Sequence, residues 1–300
     1  MPLETDQNQF FESAFFQSTG YNVRIEEIHF ESGGCINNAL KIKTSKGVFF
    51  FKYNIDKPIE MFEKEARGLN LLKENFSLTV PTVVGYGKIM EKSYLILEYI
   101  QSRFPQKNYW QKLGESLAEL HKKNISELFG LQYDNFIGSI PQQNQPMTDN
   151  WEEFFVEKRL RNAFGRAFYH GLIDESYMRL LDRLSEKIQK NKYAFFEPCA
   201  PSLLHGDLWS GNVMPDEKGN PCIYDPAIYF GNREIEIAFT RLFGGFEEDF
   251  YDAYCSCFPM NKGFREREAL LNLYPLMIHV NLFGTGYLRG VKETLTKFVF

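Results

Sequence analysis

Residues 203–226 read LLHGDLWSGNVMPDEKGNPCIYDP, and no other stretch restricts the fold as much. They set His205, Asp207, Asn212 and Asp225 in order, with the spacing H-x-D-x-x-x-x-N and a second Asp beyond. Asn212-Val213-Met214 and Cys222-Ile223-Tyr224 are short β-prone runs, and Pro215-Asp216-Glu217-Lys218-Gly219-Asn220 between them is rich in turn formers. The pattern predicts a hairpin that returns Asn212 and Asp225 to one end. An amide oxygen and a carboxylate there suit a hard cation such as Mg²⁺. Asp207 supplies a carboxylate that can orient a hydroxyl and accept its proton. The competing reading is a buried His-Asp turn followed by an ordinary surface hairpin. Four such residues at this spacing, with Gly211 inside the loop, weigh against it.

The spacing resembles the protein-kinase run H-R-D-x-x-x-x-N followed by D-F-G. Gly206 stands in place of the Arg, and Asp225-Pro226-Ala227 in place of D-F-G. That resemblance implies phosphoryl transfer from ATP, with Asp207 as the base and Asn212 and Asp225 as Mg²⁺ ligands. The run HGDLWSGN with its later Asp-Pro-Ala narrows the likeness. The chain resembles the fructosamine kinase (ketosamine-3-kinase) family, which shares the protein kinase-like superfamily with aminoglycoside and choline kinases. Trp209 is the loop residue most particular to that family. Tyr229-Phe230-Gly231-Asn232-Arg233-Glu234, Leu242-Phe243-Gly244-Gly245-Phe246 and Asn281-Leu282-Phe283-Gly284 with Gly286-Tyr287 resemble further family blocks. The likeness extends over nearly the whole chain.

Three hundred residues suit about two lobes, and 44% hydrophobic with 16% aromatic residues is ample for packed cores. Lys and Arg number 34 against 39 Asp and Glu, a net charge of −5, and no long basic run points to nucleic acid. The five cysteines, Cys35, Cys199, Cys222, Cys255 and Cys257, are odd in number and form no CxxC pair, which fits a reducing compartment. The first residues lack a cationic stretch followed by an apolar one, and no apolar run is long enough to cross a bilayer. The expectation is a soluble cytoplasmic protein with no nucleic-acid or membrane partner. Nothing in the composition sets an oligomeric state.

Residues 7–18 are expected to form an amphipathic helix with Phe11, Phe15 and Phe16 on one side. Strands are expected over residues 23–30, 39–43 and 48–53, and again over 93–100, the last buried on both faces. Pro81, Gly85 and Gly87 interrupt the pattern before it. Residues 62–72 predict a helix with Phe62, Ala66, Leu69 and Leu72 on one face. Glu65 falls on that face and Glu63 well off it. A carboxylate turned inward needs a partner, and Lys52 on the preceding strand is the obvious one. The competing reading is a glutamate snorkelling at the stripe's edge. The family resemblance adds further roles. Gly33 and Gly34, in a Gly-Gly-Cys-Ile run, would lay backbone N–H groups over phosphates. Lys52 matches the kinase lysine that holds the α/β-phosphates. The strand over 93–100 would run into the hinge, where backbone groups near Glu98, Tyr99 and Ile100 meet adenine. Cys35 in the glycine loop is a candidate redox-sensitive thiol, against the reading of a small loop residue.

Beyond residue 101 the chain turns helical, with helices expected over 110–123, 151–169, 174–190, 234–243, 248–255 and from 265 onward. Asp174 is the expected N-cap of the third. His121 and His279 read as structural residues, and His205 as a hydrogen bonder that braces its loop. The family commonly has Asp where Glu236 stands, and His and Asn where Pro275 and Ile278 stand. The fold expected is α+β and two-lobed, protein kinase-like. Residues 1–100 form a small antiparallel-sheet lobe with one helix that binds the nucleotide, and 101–300 a larger, mainly helical lobe for catalysis and substrate. The resemblance implies phosphorylation of the 3-hydroxyl of a ketosamine's sugar, free or protein-bound, in deglycation repair. Trp209 is the expected substrate platform, against the reading of a space-filling core residue. Two rival functions are a kinase of another small alcohol, such as an aminoglycoside, choline or homoserine, and a catalytically inactive nucleotide-binding scaffold. The presence of Lys52, Asp207, Asn212 and Asp225 argues against the scaffold.

Overall fold

The computed structural model describes residues 3–31, 37–55, 57–191 and 195–300. Two compact units make up the chain: Met1–Tyr109 with Gly211–Pro226, and Trp110–Ser210 with Ala227–Phe300.

The first unit is built on five antiparallel strands: β1 (Ile25–Phe30), β2 (Asn38–Thr44), β3 (Gly47–Ile55), β4 (Val83–Ile89) and β5 (Lys92–Glu98), in the order β1-β2-β3-β5-β4. Both edge pairings, β1 with β2 and β4 with β5, carry a register shift. Strand alternation sends neighbouring side chains to opposite faces. On β3, Phe51 turns to α1 (Leu3–Thr19), where it joins Phe10, Phe11, Ala14, Phe15, Tyr94 and Ile96 in one core. The rings of Phe51 and Tyr94 stack with centroids 5.7 Å apart, and Phe11 meets Phe51 edge-on at 5.0 Å. Phe16, expected on the inward side, is 52% exposed, and Phe10 takes its place at the i, i+4 spacing with Ala14. Lys52, next to Phe51, turns to the other face, toward α2 (Glu60–Asn75). That helix buries Phe62, Ala66, Leu69 and Leu72, the stripe read from the sequence.

Strand β4 occupies the stretch expected to interrupt the pattern. Its glycines are there for close approach rather than for a turn. A methyl at Gly85 would lie 2.4 Å from Ser18 Cβ, and one at Gly87 would lie 2.6 Å from the Tyr94 hydroxyl.

The hairpin Val213–Pro215/Pro221–Ile223 forms antiparallel, as its turn chemistry predicts. It packs within the first unit, whereas the sequence places it with the residues after 101. The reason is a set of long-range bonds. Ile223 N–H donates to Thr79 O at 3.1 Å, Gln106 N–H donates to Gly219 O at 2.9 Å, and Thr79 Oγ1 donates to Asp216 Oδ2 at 2.7 Å. Asp216 also closes the turn, its Oδ1 accepting from Lys218 N–H and Asn220 N–H.

In the second unit the main helices are Glu175–Lys190, Arg233–Thr240, Glu248–Cys257, Phe264–Leu271, Leu273–Phe283 and Leu288–Val299, with a continuous helical run through Trp151–Glu153, Phe154–Arg161 and Asn162–Tyr169. The middle of that run is a π-helix. Asp174 caps Glu175–Lys190 by accepting from Ser176 N–H at 2.8 Å. Two short ladders pair Asn135–Ile137 with Ile140–Gln142 and Ser202–Leu204 with Tyr229–Gly231. Among the described residues no helix is long and apolar enough to cross a membrane.

Candidate active site

In the first unit three of the expected residues form one ion cluster. Lys52 is 4% exposed, and its Nζ donates to Glu65 Oε1 at 2.8 Å and also to Asp225 Oδ1. The Lys52–Glu65 pair is thus formed as the helix periodicity predicts. An ammonium this deep must regain its lost hydration from fixed partners, and two carboxylates supply it. Asp225 has φ +57°, and the only other described non-glycine residue with positive φ is Met90. Asp tolerates this left-handed region better than bulkier residues do. Its side chain remains 38% exposed. Asn212 is buried, and its carbonyl accepts from Tyr224 N–H at 3.2 Å, while the Tyr224 hydroxyl donates to Gly211 O at 2.7 Å. Asn212 and Asp225 therefore leave the hairpin at the same end. An amide oxygen and a carboxylate, one of them open to solvent, fit a hard cation that takes its remaining ligands from phosphate and water.

Two of the expected hinge residues, Glu98 and Tyr99, have their side chains engaged within the first unit. Glu98 Oε2 accepts from Thr82 Oγ1 at 2.6 Å and from Thr82 N–H at 3.2 Å. Tyr99 donates to Glu31 at 3.4 Å, with Lys41 Nζ 4.4 Å from its ring centre. Ile100 lies beyond the end of β5. Contacts to a nucleotide here would fall to the backbone, as the sequence reading has it. Gly33, Gly34 and Cys35 lie outside the described residues.

Asp207 and Trp209 belong to the second unit, in the loop after Ser202–Leu204. Gly206 has φ +83°, and a methyl on it would lie 2.0 Å from Ala227 O, so the position admits only glycine. His205 is fully buried and its Nδ1 accepts from Asp207 N–H at 3.3 Å, the bracing role expected of it. Its carbonyl accepts from Ala227 N–H at 2.8 Å. Beneath the loop lies Glu236, on the wholly buried helix Arg233–Thr240. Glu236 Oε1 accepts from Gly206 N–H at 2.7 Å, and Oε2 accepts from His205 N–H at 3.2 Å. His121 Nε2 stands 2.9 Å from Oε2, and its Nδ1 stands 2.8 Å from the Tyr254 hydroxyl, which Arg233 reaches at 3.1 Å. Burial alone would raise the Glu236 pKa. The His121 hydrogen bond and charge, with the Gly206 amide, outweigh it and hold the carboxyl below the usual range. The same helix is tied to Phe264–Leu271 by Arg267, whose Nε and Nη2 donate to Glu234 at 2.8 and 2.7 Å.

The sequence flagged His121 and Glu236 singly, named Arg233 only as part of a family block, and missed Tyr254. The available signal was Arg-Glu-x-Glu inside an otherwise apolar helix, since charges there need partners. Trp209 is half-buried and meets Phe243 edge-on, with centroids 6.5 Å apart.

The sequence profile of the fructosamine kinase family matches residues 8–300. A "Probable ketoamine kinase" of Synechocystis sp. is 37% identical over 283 residues, spanning 93% of this chain and 92% of that one. The chloroplastic protein-ribulosamine 3-kinase of Arabidopsis thaliana is 38% identical over 277 residues, 89% of this chain and 81% of its own. Among solved structures, the Haemophilus somnus protein named "Putative fructosamine-3-kinase" superposes with a TM-score of 0.86 at 26% identity, over 97% of each chain. A thermostable mutant of aminoglycoside phosphotransferase APH(4)-Ia, solved with ADP and hygromycin B, shares the fold at a TM-score of 0.64 and 15% identity, over 97% of this chain and 98% of its own.

Proposed function

The chain belongs to the fructosamine kinase family, and we propose on that premise that it phosphorylates the 3-hydroxyl of the sugar in ketosamines, with ATP as the donor. The observation that carries the proposal is Lys52 held between Glu65 and Asp225. A lysine so placed is set for phosphate oxygens, and the carboxylate beside it is set for a metal ion. Lys52, steadied by Glu65, binds the α/β-phosphates, and the backbone near Glu98, Tyr99 and Ile100 binds adenine. Gly33 and Gly34 cover the phosphates. Asn212 and Asp225 hold Mg²⁺, which when bound neutralises charge on the transferring group. Asp207 orients the substrate hydroxyl and takes its proton as that oxygen bonds to the γ-phosphorus and ADP leaves. Trp209 presents an indole face and N–H to the sugar.

Ketosamine 3-phosphates decompose and release the amine, so the role proposed is deglycation repair, on free or protein-bound substrates. A reducing, cytoplasmic setting is supported by the free thiols of Cys199, Cys222, Cys255 and Cys257. ATP consumption across a panel of glycated amines, aminoglycosides and choline tests the assignment. Turnover is expected with the glycated amines alone. Turnover with choline or an aminoglycoside, and none with any ketosamine, would replace it. Nucleotide binding without turnover on any alcohol would favour a scaffold.

A further inference from the structure

Beside the catalytic loop the second unit carries an aromatic wall that its core leaves partly uncovered. Trp209 touches Phe243, and Phe243 lies 4.4 Å from His279 and 6.1 Å from Tyr287, between ring centres. His279 in turn lies 5.2 Å from Tyr287 and 5.5 Å from Phe283. Phe283 is 47% exposed, and Trp209, Phe243, His279 and Tyr287 are half-buried. These rings come from the catalytic loop, the turn after Arg233–Thr240, the end of Leu273–Phe283 and the turn Thr285–Tyr287. Glycines border them, and at Gly244, Gly284 and Gly286 nothing lies within 4 Å of where a Cβ would stand. The rim of the wall is open.

His279 adds one polar atom. Its Nδ1 is 2.8 Å from Pro275 O, and because a carbonyl only accepts, the proton sits on Nδ1. Burial pulls the imidazole below its usual range, so the ring is neutral at pH 7 and Nε2 keeps a lone pair. Aromatic faces around a neutral acceptor suit a cation that has N–H groups to donate. A ketosamine carries such a cation. Its amine is secondary, protonated near neutral pH, and attached to the sugar carbon two positions from the one bearing the 3-hydroxyl. A substrate that presents this hydroxyl to Asp207 must place its amine close by, and Trp209 is two residues from Asp207.

We propose that Trp209, Phe243, His279 and Tyr287 form the subsite for the secondary ammonium of the ketosamine. The rings attract the charge, and His279 Nε2 accepts one of its N–H groups. The inference rests on the ketosamine reading and adds to it the feature of the substrate that is selected. The test compares a ketosamine with its ether isostere, in which oxygen replaces the amine, by kcat/KM. Wild type should prefer the amine by roughly tenfold, the scale of a partly desolvated cation–π contact. Tyr287→Leu and His279→Leu should each lower that ratio several-fold, and Tyr287→Phe should keep it. Melting temperatures identify which variants are folded, and either Leu variant suffices. Equal use of amine and ether by wild type, or an unchanged ratio in a folded Leu variant, overturns the subsite while the kinase assignment stands. If wild type phosphorylates neither compound yet turns over another alcohol, the ketosamine reading fails and the subsite with it.

Discussion

Two acids, one partly in solvent and one buried, serve this protein in opposite ways. Asp225 accepts from the end of a long lysine side chain and keeps 38% of its own side chain in solvent. Glu236 is 3% exposed and accepts from backbone N–H groups of His205 and Gly206, whose positions a strand and a tight turn determine. The first carboxylate can exchange one partner for another at little cost, since water and Lys52 both compete for it. The second cannot, because three donors converge on it in a site without water's dielectric. An acid left partly in solvent is held by a flexible cation, and an acid that holds a loop still is bonded to backbone.

The sharpest way to break that contrast is through the residue the second acid supports. Asp207→Asn should lower turnover by roughly 10²–10⁴-fold with ATP affinity and melting temperature kept. Near wild-type turnover would remove Asp207 from its role. Next in size, Glu236→Gln should destabilise the fold by about 3–5 kcal/mol, the usual result of breaking a buried charge pair from one side. The pH dependence has a definite sign. The Glu236 carboxyl lies lower in the folded state than its ordinary value of 4.5, so its contribution is present above pH 4.5 and lost as pH falls through the folded value. Urea titrations of wild type and variant should therefore converge below pH 4.5, and a gap independent of pH would contradict the assignment. Of the two acids compared, Asp225 is expected to show the smaller stability effect. Asp225→Ala takes one of two carboxylates from a buried ammonium that Glu65 still pairs, so it should destabilise the fold by less than Glu236→Gln. It should instead remove the Mg²⁺-dependent tightening of ATP binding, measured by calorimetry with and without the metal. Unchanged coupling would place the metal elsewhere.

The parts of this molecule legible in the sequence are those in which short-range pattern and function coincide. The periodicity of residues 62–72 put Glu65 opposite Lys52 because a helix repeats every 3.6 residues wherever it packs. The hairpin could be read from Pro215 to Asn220, although its bonds to Thr79 and Gln106, which join it to the first unit, could not. Strand β4 was hidden because Gly85 and Gly87 weaken β propensity locally, and the partners that demand them are Ser18, distant in sequence, and Tyr94, the residue paired with Gly87 on β5. The His121–Glu236–Tyr254 network joins three separate helices, so only its isolated charges were visible. The aromatic wall was likewise scattered among blocks recognised for their likeness to a family rather than for what their rings touch.

The order of the first sheet has a consequence for life in a crowded solution. Its outermost strands are β1 and β4, and their unpaired backbone groups are templates on which a foreign strand could grow. Both are irregular, with a register shift between Ile25 and Glu27 on one side and between Val83 and Gly85 on the other. On β1, Glu26 and Glu27 stand exposed and pair with Lys43 across the strand. A bulged, charged border offers a poor register for fibril-like addition. Neither border gives a further strand a straight line to follow.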